Sequence, residues 1–461
     1  MDIIRLSAVF INRQPTNECT FEVSINGGGF RPANGGASGT ASVELPPTPR
    51  PLPLEIRATP TTNHHFRVEE GRFEYRWNGE LVAIRVPKEF MPPRGIRSSG
   101  HNSISVVVVL SRVRDRTNDV LASLARVPGS RVGHPPTSWP PSAWDTPSLA
   151  NPRYIASPPV RAGNLYFDLR TIDPDTEDLV LEVAGVDAPQ LIAVSWPRAL
   201  RRTIDSDPTP FLIYFHPTVG QNVGAGFYEG PDLGSYPFGW DYLFYGLWRY
   251  LNYMGDPITV DPYPKGLPYQ VAASGKHAVL VLPLNKKRIE VGAFLDAASA
   301  EELLREIQAF MFRREGIYEP PELGRTALAA FSDGNPLVAR FLGLLINQRH
   351  LFYQNILKEV YMFDAPRNSV LNWVAQAIRW ARAGDGTDKM IRIYTRNNSP
   401  SHSTLLGQST PAVPLFVASS SNGLRTAAVL PMAAWRSTDW QTVHQLISAT
   451  MLTDAFRRSG F

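Results

Sequence analysis

Along the first 113 residues the apolar positions come in short runs rich in β-branched and aromatic side chains. The runs are Ile3–Ile11, Thr20–Ile25, Ala41–Leu45, Leu54–Ala58, Phe66–Val68, Phe73–Trp77, Leu81–Val86 and Ile104–Leu110. Turn signals separate them at Asn26-Gly27-Gly28-Gly29, Asn34-Gly35-Gly36 and Asn78-Gly79. Short strands joined by glycine turns predict an all-β, antiparallel sandwich-like domain over residues 1–125. Residues 126–160 lose this pattern. Prolines crowd together there with serine and little apolar periodicity, which predicts an extended linker.

The period changes again beyond the linker. Leu165–Leu169, Leu179–Val183 and Gln190–Val194 are strand-like, and Phe211–Phe215 and Ala278–Leu282 are continuous apolar runs of the kind buried on both faces. A helix is expected from Ser299 to Arg314, with Ser299 and Glu302 as a capping box and Leu303, Ile307, Phe310 and Met311 on its apolar face. Further strands follow at Glu359–Phe363, Met390–Tyr394 and Arg425–Leu430. Helices are expected over 368–383 and from Gln445 to Arg458. Strands alternating with helices predict a mostly parallel sheet with helices on both faces, over residues 161–461.

Within this half, Thr326–Leu345 concentrates the chemistry. A run of small and apolar residues, Thr326–Phe331, leads directly into a helix. Pro336 falls in the helix's first turn, and Leu337, Phe341, Leu344 and Leu345 recur at spacings of three and four. Between them stands Ser332, with Ala330 two residues before and Gly334 two after. A serine on a sharp strand-to-helix turn needs small neighbours at those positions, because the two backbones nearly touch. Ser332 and Asp333 are also good helix caps, and the turn alone leaves both readings open.

The segment Ala330-Phe331-Ser332-Asp333-Gly334 resembles the nucleophile elbow of the α/β-hydrolase superfamily, with alanine in place of the first glycine. The resemblance covers roughly residues 160–461 and implies an α/β-hydrolase-like sheet and a Ser-acid-His order of catalytic residues. Ser332 would be the nucleophile. Asp364, at the end of the strand Glu359–Phe363, would be the acid, with Asp439 and Asp388 as alternatives. His444, expected to open the last helix, would be the base, with His402 second. The resemblance further implies an oxyanion hole from the N–H of Asp333 and of Thr218 or Val219. Pro217, which has no N–H to donate, stands where relatives often carry glycine. The aromatic stretch that includes Phe227, Tyr228 and Trp240 suits a pocket for an apolar or aromatic ester, or else helix packing against the β domain.

Composition narrows this only at the margins. A net charge of +4 over 461 residues gives no basis for nucleic-acid binding. Cys19 is the single cysteine, which excludes an internal disulfide and a cysteine-built metal site. His64-His65 reads as a loop pair, and no metal and no cofactor is expected. Gly224-x-Gly226-x-x-x-Gly230 is interrupted by Pro231 where a dinucleotide-binding helix would begin. No membrane span and no cleavable signal peptide is expected, which predicts a cytoplasmic protein or one exported by another route. The expected function is a serine esterase. The alternative is a catalytically inactive hydrolase-like scaffold whose β domain binds a protein or carbohydrate partner.

Overall fold

A computed structural model describes residues 2–10, 19–25, 27–35, 40–45, 54–60, 67–77, 80–85, 89–90, 103–120, 174–201, 207–217, 266–284, 292–383, 388–396, 401–419 and 440–461, with Leu247, Tyr250 and Leu251 and apart from a few single positions. The chain divides into two compact units. One comprises Met1–Arg114, Glu182–Gly185 and Glu301–Pro320; the other comprises Asp115–Leu181, Val186–Ala300 and Pro321–Phe461. The expected linker, residues 126–160, lies outside the described residues.

The first unit is built from β1 (Asp2–Phe10), β2 (Cys19–Ile25), β3 (Arg31–Pro32), β4 (Asn34–Gly35), β5 (Thr40–Leu45), β6 (Leu54–Pro60), β7 (Arg67–Trp77), β8 (Glu80–Arg85), β9 (Glu89–Phe90) and β10 (Ser103–Ser111). They form a sheet in the order β4-β5-β1-β10-β7-β8 and a smaller one in the order β3-β2-β6-β9. Cys19, Phe21 and Val23 alternate inward along β2, the period-2 pattern of a strand with one buried face. Two features depart from a simple antiparallel reading. β1 and β10 pair in parallel, from Ile3 opposite Ser103 to Phe10 opposite Leu110. The two expected runs Phe66–Val68 and Phe73–Trp77 are one strand, because the ladder to β10 carries through Arg72 and reaches Arg67 despite the polar stretch between them. The hairpin expected at Asn78-Gly79 is visible in its register. Trp77 pairs with Glu80, which leaves two residues for the turn, themselves outside the described residues.

The second sheet contains β11 (Val113–Asp115), β12 (Thr176–Val183), β13 (Leu191–Pro197), β14 (Thr209–Phe215), β15 (Val279–Pro283), β16 (Leu323–Phe331), β17 (Leu357–Phe363), β18 (Met390–Thr395) and β19 (Leu415–Ser419). Its order is β11-β12-β13-β15-β14-β16-β17-β18-β19. β13 runs antiparallel to β15, and every pairing from β15 onward is parallel. A large, mostly parallel sheet with one early antiparallel strand is consistent with the α/β-hydrolase plan. β13, β15 and the inner parts of β14, β16 and β17 are buried at successive positions, so both faces are covered.

The α-helices among the described residues include α1 (Leu267–Ala273), α2 (Ala297–Arg314), α3 (Asn335–Gln348), α4 (Val370–Ala383), α5 (His402–Leu406) and α6 (Trp440–Arg457). α6 lies against the sheet face that carries Tyr214, Tyr361 and Tyr394. The Tyr394 hydroxyl donates to Asp454 at 2.8 Å, and the Tyr361 and Phe456 rings meet edge to face at 6.1 Å. β16 opposes Tyr214 and Tyr361 with Ala329, and the small side chain leaves room for the helix.

Three expected details are corrected here. α2 begins two residues before Ser299, and its cap is Asp296, whose carboxylate accepts from the Ser299 N–H at 2.9 Å. Leu344 is 37% exposed, because the buried face of α3 is set by Leu337, Val338, Phe341, Leu342 and Leu345. The sheet has a strand at Leu415–Ser419 that the alternation did not mark, whereas the expected strands Leu165–Leu169 and Arg425–Leu430 lie outside the described residues.

Candidate active site

The turn after β16 is closed by sterics. Ser332 has a left-handed backbone, φ 50°, between the extended Phe331 and the first residues of α3. A β-carbon on Gly334 would overlap the carbonyl oxygen of Phe215 and stand 3.2 Å from that of His216. Only glycine lets the elbow press against the end of β14 this closely. Asn335, fully buried, fastens the turn from below. Its Nδ2 donates to the Ser332 carbonyl at 3.0 Å and to the Phe363 carbonyl at 3.2 Å. The clamp ties the elbow to the end of β17, where Asp364 follows. Ser332 itself is partly exposed and Asp333 is exposed.

Asp364 also has positive φ, 43°, a conformation that aspartate tolerates better than bulkier residues. Its N–H donates to the Tyr394 carbonyl at 2.7 Å, which pins the residue to the neighbouring strand. The carboxylate is 2% exposed and fully engaged. Oδ1 accepts from the Arg396 N–H at 2.8 Å and from the Thr395 hydroxyl at 3.5 Å, and Oδ2 meets both the Arg396 guanidinium and His444 Nδ1. The Nδ1–Oδ2 separation is 2.5 Å, so Nδ1 carries the shared proton and Nε2 is the nitrogen left to accept another. The His444 ring packs on Phe331, with centroids 4.4 Å apart, and so reaches the residue before Ser332. Among the described residues no hydrogen bond joins Ser332 to His444; hydrogen bonds between catalytic groups often tighten only when substrate is bound.

His216, at the end of β14, is buried. Its Nδ1 lies 2.7 Å from the Pro217 carbonyl, and its ring stacks on Tyr250 with centroids 5.4 Å apart. Burial pushes its pKa down to about 4, against an ordinary value of 6.5, so it stands neutral with Nδ1 donating to Pro217.

Of the residues singled out by sequence, Ser332, Asp333, Asp364 and His444 are thus collected at one edge of the sheet. Thr218, Val219, Phe227, Tyr228 and Trp240 lie outside the described residues, as does Asp439. Asp388 is engaged elsewhere, where it accepts from Lys358 at 2.9 Å and sits 3.7 Å from the Arg325 guanidinium. His402 begins the short helix α5. His444 does not open α6 but lies in its second turn, since the helix starts four residues earlier, at Trp440. Two participants were missed. Arg396 was visible only as a strand end without a carboxylate, and Asn335 as one more polar residue at a helix start. Among the described residues no group of three or more metal-ligating side chains exists.

No family model matches the sequence, and no curated protein matches it. Solved structures with a similar arrangement include an esterase from Pyrobaculum calidifontis, at 15% identity over 62% of this chain and 88% of that one, with a TM-score of 0.30. Carboxyl esterase 2 from Tuber melanosporum is 11% identical over 65% and 89%, at 0.29. Esterase B from Lactobacillus rhamnosis is 10% identical over 63% and 91%, also at 0.29. All three similarities are remote.

Proposed function

We propose that the protein is a serine hydrolase that cleaves carboxylic esters by acyl transfer, with Ser332 as nucleophile, His444 as base and Asp364 as the acid that orients it. The observation that carries this reading is the Asp364–His444 contact beside a serine held at positive φ on a glycine-closed elbow. With Nδ1–H committed to the buried carboxylate, Nε2 takes the Ser332 proton as Oγ bonds to the substrate carbonyl carbon. The tetrahedral oxyanion would accept from the Asp333 N–H and from Thr218 or Val219. Collapse expels the alcohol, which leaves with the proton from Nε2. A water then attacks the acyl-serine, losing its proton to Nε2, and collapse releases the acid as Nε2 returns that proton to Ser332 Oγ. The substrate class is an ester with an apolar or aromatic acyl or alcohol part, accommodated by Phe227, Tyr228 and Trp240.

Pro217, which has no N–H to donate, and Ala330, in place of the first elbow glycine, favour a second reading, an inactive scaffold whose β domain binds a protein or carbohydrate. The two readings part on kinetics. On the first, Ser332→Ala reduces hydrolysis of short p-nitrophenyl esters by roughly a millionfold, and His444→Ala matches it because the pair acts as one unit. The thermal midpoint changes little, since the serine hydroxyl has no bond partner among the described residues. Parent protein that leaves such esters untouched supports the scaffold.

A further inference from the structure

Arg396 stands one strand beyond Asp364, at the end of β18, and is bound to the same carboxylate twice. Its guanidinium Nε contacts Oδ2, the oxygen that also takes His444 Nδ1, and its backbone N–H bonds Oδ1 at 2.8 Å. The contact is nearly dry: the arginine side chain is 19% exposed and the aspartate 2%. We infer that Arg396 is a positioning residue for the site, which sets the orientation of Asp364 and neutralises its field at His444, so that the imidazole stays a free base to lower pH than the aspartate alone would allow. This inference rests on the triad reading.

The effect is one of charge sharing. A lone buried carboxylate beside an imidazole favours the protonated ring, because opposite charges a few ångströms apart attract strongly where water is excluded. A guanidinium on the same oxygen cancels most of that attraction and repels the imidazolium directly. A ring that must be neutral to accept the serine proton then works over a wider pH range.

Few other charges compete among the described residues. The elbow carries exposed Asp333, the segment after β17 carries exposed Arg367, and β14 ends in buried, neutral His216. α6 has no charged residue between His444 and Asp454, and Asp454 is itself paired with Tyr394 and Arg458. Among the described residues, Arg396 is therefore the cation in contact with the pair. The acid at the end of β17 and the cation at the end of β18 thus form one unit.

The test reads pH dependence rather than rate alone. In the full-length protein, Arg396→Met should move the low-pH limb of p-nitrophenyl acetate hydrolysis upward by about one pH unit, a tenfold change in ring protonation. Arg396→Gln carries the same expectation and serves if the methionine variant does not fold. Arg396→Lys restores a cation and should return the limb close to the parent position. In a Ser332→Ala background, NMR titration of the His444 ring, assigned by its loss in His444→Gln, should show the same upward displacement without any turnover.

A uniform fall in rate with an unmoved limb and an unmoved ring titration would overturn the inference and make Arg396 a merely structural partner. A parent protein that fails to cleave esters while the ring titration still moves would remove the hydrolase reading alone.

Discussion

Ser332 and Asp364 share a backbone feature that neither residue adopts by default, a positive φ of 50° and 43°. Each such residue costs about 1–2 kcal/mol, and the neighbours that hold it are identifiable: Asn335 grips the serine's carbonyl, and the Tyr394 carbonyl takes the aspartate's N–H. His216 makes a different contribution, because it is buried as a neutral ring. The unfolded chain binds a proton there below about pH 6.5, whereas the folded protein resists until about pH 4. The folded pKa is depressed for a base, so stability is intact above pH 6.5 and falls as pH drops toward 4, by up to about 3 kcal/mol. Urea midpoints measured from pH 7 to pH 4 should fall across that window, and His216→Phe should flatten the dependence. An unchanged slope in His216→Phe would show that carboxylates govern the acid limb instead. Ser332, Asp364 and His444 were candidates in the sequence because small neighbours, a strand end and chain order mark them. Arg396 and Asn335 were not, since their partners lie 32 and 28 residues away and only the folded sheet brings them near.

At the scale of elements, the helix that carries His444 is anchored from outside itself. The Gln270 amide on α1 donates to the Ser448 carbonyl at 3.1 Å and accepts from the Leu452 N–H at 3.1 Å. Those two groups form one i→i−4 pair of α6, so the buried amide bridges a bond that the helix could make alone. Thr453 returns a bond to the Gln270 carbonyl at 3.1 Å. Ser448 lies one turn beyond His444, so this anchor fixes the height at which the imidazole meets Asp364. Gln270→Leu should cost only about 1 kcal/mol, because the helix can close the freed pair itself. Gln270→Glu should cost about 3 kcal/mol or more at neutral pH, since a buried carboxylate would face the Ser448 carbonyl with no donor. Chemical denaturation of the two variants checks the order, and a reversed order would mean that the amide does not bridge α6. Nothing in the sequence marked Gln270, whose partners are about 180 residues further on. The strand Leu415–Ser419 escaped for a local reason: its apolar run stops after four residues and leads into Ser419-Ser420-Ser421-Asn422-Gly423, a loop-like composition.

For the whole molecule, the change from short alternating runs to strand-helix alternation was enough to foresee a β-rich first part and a mostly parallel second sheet. The parallel pairing of β1 with β10 was not foreseeable, because it joins segments about a hundred residues apart, and turn signals speak only for neighbours in sequence. The second sheet, by contrast, places the candidate site residues by rule, at the carboxyl ends of successive parallel strands: Ser332 after β16, Asp364 after β17 and Arg396 after β18. The central claim is that the serine at the first of these stations is an activated nucleophile rather than a helix cap. The most direct measurement is covalent: incubate the parent protein with a fluorophosphonate, digest it, and locate the adduct by mass spectrometry. A single adduct on Ser332 is expected, absent in Ser332→Ala and strongly slowed in His444→Ala and Asp364→Asn. An adduct at another residue, or an unmodified parent protein under conditions that label a known serine esterase to completion, would contradict it.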